Sequence, residues 1–247
     1  MNLFDTTLRV GGNVVGNGFN EELTISVLEG LLNAGVQDIE LANCKGLGAY
    51  ELAGATQALT DEQYLQIIQP YLQYGRLGML QSAERIQKVK VRMSKEYGLY
   101  FLRVGTNAGD GKKAVKAVEM VKNADMVCRY SLMKAYVLSP VELAQEAKML
   151  QNIGVDKITI MDSAGTMFPQ ETADYVKALK DAITIPVGFH GHSNLGLSQA
   201  NALSAVAVGA DEIDCGLLGM ARSAGNCTTE LAIATLQKKV LMFLFSS

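Results

Sequence analysis

Short apolar runs alternate with longer segments of helical periodicity from one end of the chain to the other. The runs at 3–10, 38–41, 77–80, 100–104, 126–133, 157–161, 186–189 and 212–215 read as strands. Between and after them, 21–34, 61–74, 82–97, 112–123, 140–153, 169–182, 197–208 and 228–245 read as helices. Ser139 followed by Pro140 places a cap and a first-turn proline at one helix start, and Glu84, Lys88 and Arg92 recur every four residues on another.

Repeated strand–helix units of roughly 30 residues require parallel strands, because a right-handed crossover helix returns the chain to the same edge of the sheet. Eight such units in 247 residues have the size of a closed, parallel eight-stranded (β/α)8 TIM barrel of the α/β class. A doubly wound sheet is disfavoured: Gly11, Gly16 and Gly18 do not fit the GxGxxG turn that a dinucleotide fold carries after its first strand. With no Pro/Ser-rich linker, the whole of 1–247 is expected to be one barrel domain.

Composition narrows the class further. Hydrophobic residues make up 49% of the chain and charged residues 19%, enough to bury a large core. The net charge is −3 and no Lys/Arg stripe forms, so a nucleic-acid partner is not expected. Cys44, Cys128, Cys215 and Cys227 are far apart and show no CxxC spacing, which suits reduced thiols in a cytoplasm. There is neither a basic-then-apolar leader nor an apolar run long enough to span a bilayer, so no membrane association is expected. The apolar stretch 240–245 reads as part of a last helix packed on the core or on another subunit.

Strand C-termini form the functional face of such barrels. Those positions supply Arg9, Glu40 and Asn43, Gln81, Arg103 with Thr106 and Asn107, Lys134 with Tyr136, Asp162 with Ser163, His190 with His192, and Asp214. The chain's only two histidines stand one residue apart in His190-Gly191-His192, and side chains at i and i+2 of a strand share a face. Two imidazoles so placed suit a divalent metal, or else hydrogen-bond to neighbours on the rim. Arg9 is a fixed positive charge able to hold a carboxylate or enolate, or to form an ion pair with Glu40 or Asp162. The Gly-rich segments 216–226 and 46–49 read as loops that approach a ligand, and Asn226 also suits a helix cap.

These segments resemble the pyruvate carboxyltransferase-like metallolyases, the family of HMG-CoA lyase, isopropylmalate synthase and 4-hydroxy-2-oxovalerate aldolase, with the aldolase branch nearest. The resemblance rests on DTTLR (5–9), AGVQDIELANCKGLGAY (34–50), RLGML (76–80), LMKAYVLSP (132–140), MDSAGTM (161–167), GFHGHSNLGLSQAN (188–201) and GLLGMARSAGN (216–226). It implies a divalent cation, Mn2+ or Mg2+, that chelates a 2-oxo acid and stabilises the enolate formed when a carbon–carbon bond breaks. Under it His190, His192 and Asn226 are metal ligands and Arg9 supports the enolate; Ser163, Gly48 and Tyr136 join Arg9 as candidate substrate contacts. It further implies cleavage of a 4-hydroxy-2-oxo acid to pyruvate and an aldehyde, a homo-oligomer, and an aldehyde dehydrogenase partner.

The chain departs from that pattern at two catalytic positions. Val10 stands where the family's RDG motif has a metal-binding aspartate, and Asn13 where the aldolase branch has its catalytic histidine. Valine ligates nothing and an asparagine amide is no base, so a weakly bound metal and reduced aldolase activity are expected, unless Asp5 or Glu40 supplies the carboxylate. The C-terminal helical region of full-length aldolases is expected to be absent after Leu244. Competing expectations are a Claisen synthase of the same superfamily, a Schiff-base enzyme using Lys134, and a barrel that binds a metabolite or partner without catalysis.

Overall fold

The computed structural model describes residues 1–52 and 59–245. Strands β1 (Asn2–Asp5), β2 (Asp38–Glu40), β3 (Arg76–Ser82), β4 (Phe101–Asn107), β5 (Val127–Met133), β6 (Lys157–Asp162), β7 (Val187–Gly191) and β8 (Glu212–Cys215) pair in parallel in sequence order. Pairing of β1 with β8 closes the sheet, as the eight-unit rhythm predicts. Around it lie α1 (Thr7–Val10), α2 (Glu21–Asn33), α3 (Asp61–Ile68), α4 (Lys88–Glu96), α5 (Val115–Asn123), α6 (Pro140–Asn152), α7 (Pro169–Ala182), α8 (Ser198–Ala207) and α9 (Thr229–Phe245). No helix among the described residues is long and apolar enough to cross a membrane.

Helix starts follow local chemistry. Asn20 accepts the Leu23 N–H at 2.9 Å ahead of α2, while Thr60 with Gln63 and Ser139 with Glu142 form reciprocal capping boxes at α3 and α6. Three expected elements differ in extent. The 61–74 helix tightens into a 3-10 turn at Gln69–Tyr71, where Pro70 offers no N–H. The 82–97 helix starts only at Lys88, after a 3-10 turn over Ala83–Arg85. Strand one, expected over 3–10, ends at Asp5. There the Asp5 carboxylate accepts the Thr7 N–H at 2.8 Å and turns the chain into α1, whose Val10 N–H bonds back to the Thr6 carbonyl. Between β2 and α3, residues 53–58 lie outside the described residues, as do the side chains of 240–245.

Strand alternation sorts the chain into two interiors. Ile39, Leu77, Met79, Leu102, Val104, Tyr130, Leu132, Ile158, Ile160, Val187 and Ile213 belong to the apolar layer shared with the helices. The alternate positions hold charge. Arg103 on β4 donates to Asp214 on β8 at 2.6 Å, and Arg129 on β5 lies 3.3 Å from Glu212 on β8 and also pairs with Asp38 on β2. These strands are not neighbours, so the contacts cross the lumen. The Phe4 ring packs against both guanidinium groups, 4.8 Å from Arg103 and 4.6 Å from Arg129. Phe101 fills the space beside Gly78, where a Cβ would meet its ring at 2.5 Å. The strands, read from the sequence as short apolar runs, therefore also carry paired charges that meet across the lumen.

Candidate functional site

At the strand C-termini opens a cavity of about 300 Å3, lined by Arg9, Val10, Asn13, Cys44, Lys45, Leu80, Ser82, Arg85, Gly105, Met133, Met161, Ser163, His190, His192 and Arg222. Arg9 and the two histidines come together as the sequence predicts, although they are far apart along the chain. Arg9 reaches the cavity from α1 rather than from a strand end, and its guanidinium is clamped by Glu40 at 2.6 Å. The ion pair foreseen for Arg9 thus coexists with its place in the cavity wall.

Glu40 also lies 3.7 Å from Arg103, which continues through Asp214 to His190. His190 Nδ1 is 3.0 Å from Asp214 Oδ2. With Arg103 already donating to that carboxylate, Nδ1 is the donor of this contact, and Nε2 is the nitrogen it leaves available on a ring that lines the cavity. Burial pushes the Asp214 pKa upward, but the Arg103 charge and the His190 hydrogen bond outweigh it, so the carboxylate stays below its ordinary range. His190 and His192 have ring centroids 5.2 Å apart. Burial, then the neighbouring His190, Arg222 and Arg9, pull the His192 pKa down to about 3, so this imidazole is neutral throughout the physiological range.

The loop after β6 closes onto this strand end. Gly165, at φ +63°, lets it pass where a Cβ would fall 2.6 Å from the His192 carbonyl oxygen. Asp162 ties the same loop by accepting the Thr166 and Met167 N–H groups. Asn226 forms a backbone bridge with His192, and both polar atoms of its side chain are buried without a hydrogen-bond partner among the described residues.

Other sequence candidates lie elsewhere. Lys134 follows β5 in a left-handed conformation, is exposed, and is not among the lining residues; only its backbone N–H meets the site, donating to Ser163 Oγ at 2.9 Å. Tyr136 is 38% exposed and, like Lys134, off the cavity wall. Gly48 also lies off it, its N–H held by Asp61 at 2.8 Å. Arg103, read as a strand-end residue, stands mid-strand because β4 extends to Asn107. Asn13 does line the cavity, with its amide donating to the Val10 carbonyl at 2.7 Å. Lys45, Arg85 and Arg222 escaped the sequence reading, since nothing local distinguishes them from surface cations.

As metal ligands, two imidazoles and the Asn226 amide, unpartnered among the described residues, supply nitrogen and oxygen donors but no anion. No group of three or more His, Cys, Asp or Glu capable of holding a metal occurs among the described residues. The candidate replacement carboxylates are committed: Asp5 accepts from Thr7 and Thr229, Glu40 pairs with Arg9, and neither lines the cavity. Mn2+ and Mg2+ depend on anionic oxygen, and four cationic side chains share this wall. The donor set does not fit either ion as a resident.

Comparison with known proteins places these observations in a family. The chain is 33% identical over 236 residues to a 4-hydroxy-2-oxovalerate aldolase of Pelotomaculum thermopropionicum, covering 96% of this chain and 70% of that one. It is 35% identical to 4-hydroxy-2-oxovalerate aldolase 2 of Nocardia farcinica, covering 96% and 68%. In fold it is similar to the carboxyl transferase domain of Rhizobium etli pyruvate carboxylase, with a TM-score of 0.82 at 18% identity, over 96% of this chain and 42% of that one. The HMGL-like family matches residues 1–242, and the chain belongs to it.

Proposed function

We propose that this protein is a carbon–carbon lyase that cleaves a 4-hydroxy-2-oxo acid, such as 4-hydroxy-2-oxovalerate, to pyruvate and an aldehyde. The observation that carries the reading is that Arg9, His190 and His192 line one cavity at the catalytic face of the barrel. The relatives named as aldolases support the reaction class.

The chain's own groups supply a balanced route. His190 Nε2, aimed by Asp214, takes the proton of the substrate 4-hydroxyl. The C3–C4 bond breaks as O4 becomes the aldehyde carbonyl, and its electron pair moves through C3 onto the 2-oxo oxygen. Arg9, rigid on Glu40, stabilises that enolate oxygen as charge develops. His190 then returns its proton to C3, giving pyruvate. His192, being neutral, offers a hydrogen bond rather than a charge, and Ser163 and Asn13 are the remaining polar contacts on the wall. Val10 and Asn13 favour a second reading, a barrel that binds the 2-oxo acid without turning it over.

The test is pyruvate release from 4-hydroxy-2-oxovalerate by the chelator-treated chain, followed with a coupled lactate dehydrogenase assay. Turnover should fall by about 100-fold or more in His190→Phe and in Arg9→Met. No pyruvate from the native chain, with or without added Mn2+, would leave the binding-only barrel.

A further inference from the structure

Among the described residues, the cavity wall contains Arg9, Lys45, Arg85 and Arg222 and not one aspartate or glutamate, in a chain whose acidic residues outnumber its basic ones by 25 to 22. Arg9 is neutralised within the Arg9–Glu40–Arg103–Asp214 chain, whose two cations and two anions balance. Lys45, Arg85 and Arg222 have no ion-pair partner among the described residues. They arrive on three different loops, after β2, β3 and β8, and converge on the same opening. Arg85 is fixed by donating from Nη2 to the Lys45 carbonyl at 2.8 Å, while its Nε–H is buried with no acceptor among the described residues. A buried donor of that kind calls for an acceptor.

A 2-oxo acid with one carboxylate would occupy the Arg9–histidine floor and leave three like charges at the mouth uncompensated. We propose that the ligand of this cavity carries a second anionic group, a carboxylate or a phosphoryl, at the end remote from its 2-oxo acid function. This rests on the lyase reading only for which end of the ligand reacts. Lys45, Arg85 and Arg222 receive the remote group, and together they steer anions into the mouth.

The test is equilibrium binding, which needs no turnover. The chelator-treated full chain is titrated with 2-oxoglutarate and with 2-oxovalerate, which share a five-carbon 2-oxo acid skeleton and differ in a terminal carboxylate against a methyl. The expected result is binding of 2-oxoglutarate about tenfold or more tighter at low salt, with the preference shrinking as salt screens it. The preference should fall severalfold in Arg85→Gln, and likewise in Lys45→Gln and Arg222→Gln, which alter exposed side chains and leave the Arg85 hydrogen bond to the Lys45 backbone intact. 2-Oxo-4-phosphonobutyrate distinguishes the sources: tighter binding than 2-oxoglutarate assigns a phosphoryl group, weaker binding a carboxylate. Equal affinity for 2-oxoglutarate and 2-oxovalerate, or a preference untouched by all three substitutions, overturns the proposal. A retained preference without pyruvate release from any hydroxy-oxo acid overturns the lyase reading and leaves this one standing.

Discussion

Asp214→Asn tests the charge chain at its centre. Asp214 is fully buried and accepts from Arg103 at 2.6 Å and from His190 at 3.0 Å, so the substitution keeps the shape and removes the charge. Arg103, 1% exposed, then retains only Glu40 at 3.7 Å. Breaking one partner of a buried pair costs about 3–5 kcal/mol, and the amide oxygen can still accept from Arg103, so the loss should fall near ~3 kcal/mol. At this chain length that is a drop in Tm of about 6–12 °C. Both contacts fall on Oδ2, and Arg103, which can only donate, holds the amide oxygen at that position, so His190 Nδ1 keeps its proton and its donor role while the imidazole loses the anion beside it. Urea unfolding gives the first quantity. Ring 15N shifts give the second, readily because the chain has two histidines. Pyruvate release should fall by about 100- to 10,000-fold. Unchanged stability together with unchanged pyruvate release would refute the account of Asp214 as counter-ion to both Arg103 and His190.

Two further outcomes follow from groups at the same barrel end. His192, with a pKa near 3 when folded against 6.5 for the ordinary imidazole, binds a proton only in the unfolded chain across that interval, so acidification through it is destabilising. Burial raises Asp5 to about 6 from 3.8, against hydrogen bonds from Thr7 and Thr229, so there the folded chain holds the extra proton and acidification is stabilising. The slopes oppose between about pH 4 and 6; Asp5→Asn should expose the histidine effect, a loss of about 1.4 kcal/mol per pH unit on acidifying the chelator-treated protein. Urea midpoints that run parallel in both proteins across that range would contradict this. Val10→Asp, which adds the carboxylate this wall lacks, should tighten Mn2+ binding about tenfold or more in electron paramagnetic resonance titrations. Equal affinity in the native chain would show that the imidazoles and Asn226 suffice to hold the ion.

The chain's local periodicities determine the barrel and its most telling pair. Parallel strands follow from repeated crossover helices, and His190 and His192 share a face because a strand repeats every two residues. Those are backbone properties, visible within a few residues. The Asp5 turn that cuts β1 short is local too, but a carboxylate capturing an N–H two residues on competes with an apolar run that reads as strand. The rest depended on closure. Only when β8 meets β1 do Arg103 and Asp214, 111 residues apart, face each other across the lumen and aim His190. Closure likewise brings Lys45, Arg85 and Arg222 to one opening and leaves Lys134 outside it. Each of these cations looks alike in sequence, because what separates a ligand contact from a solvated charge is the company it keeps in three dimensions.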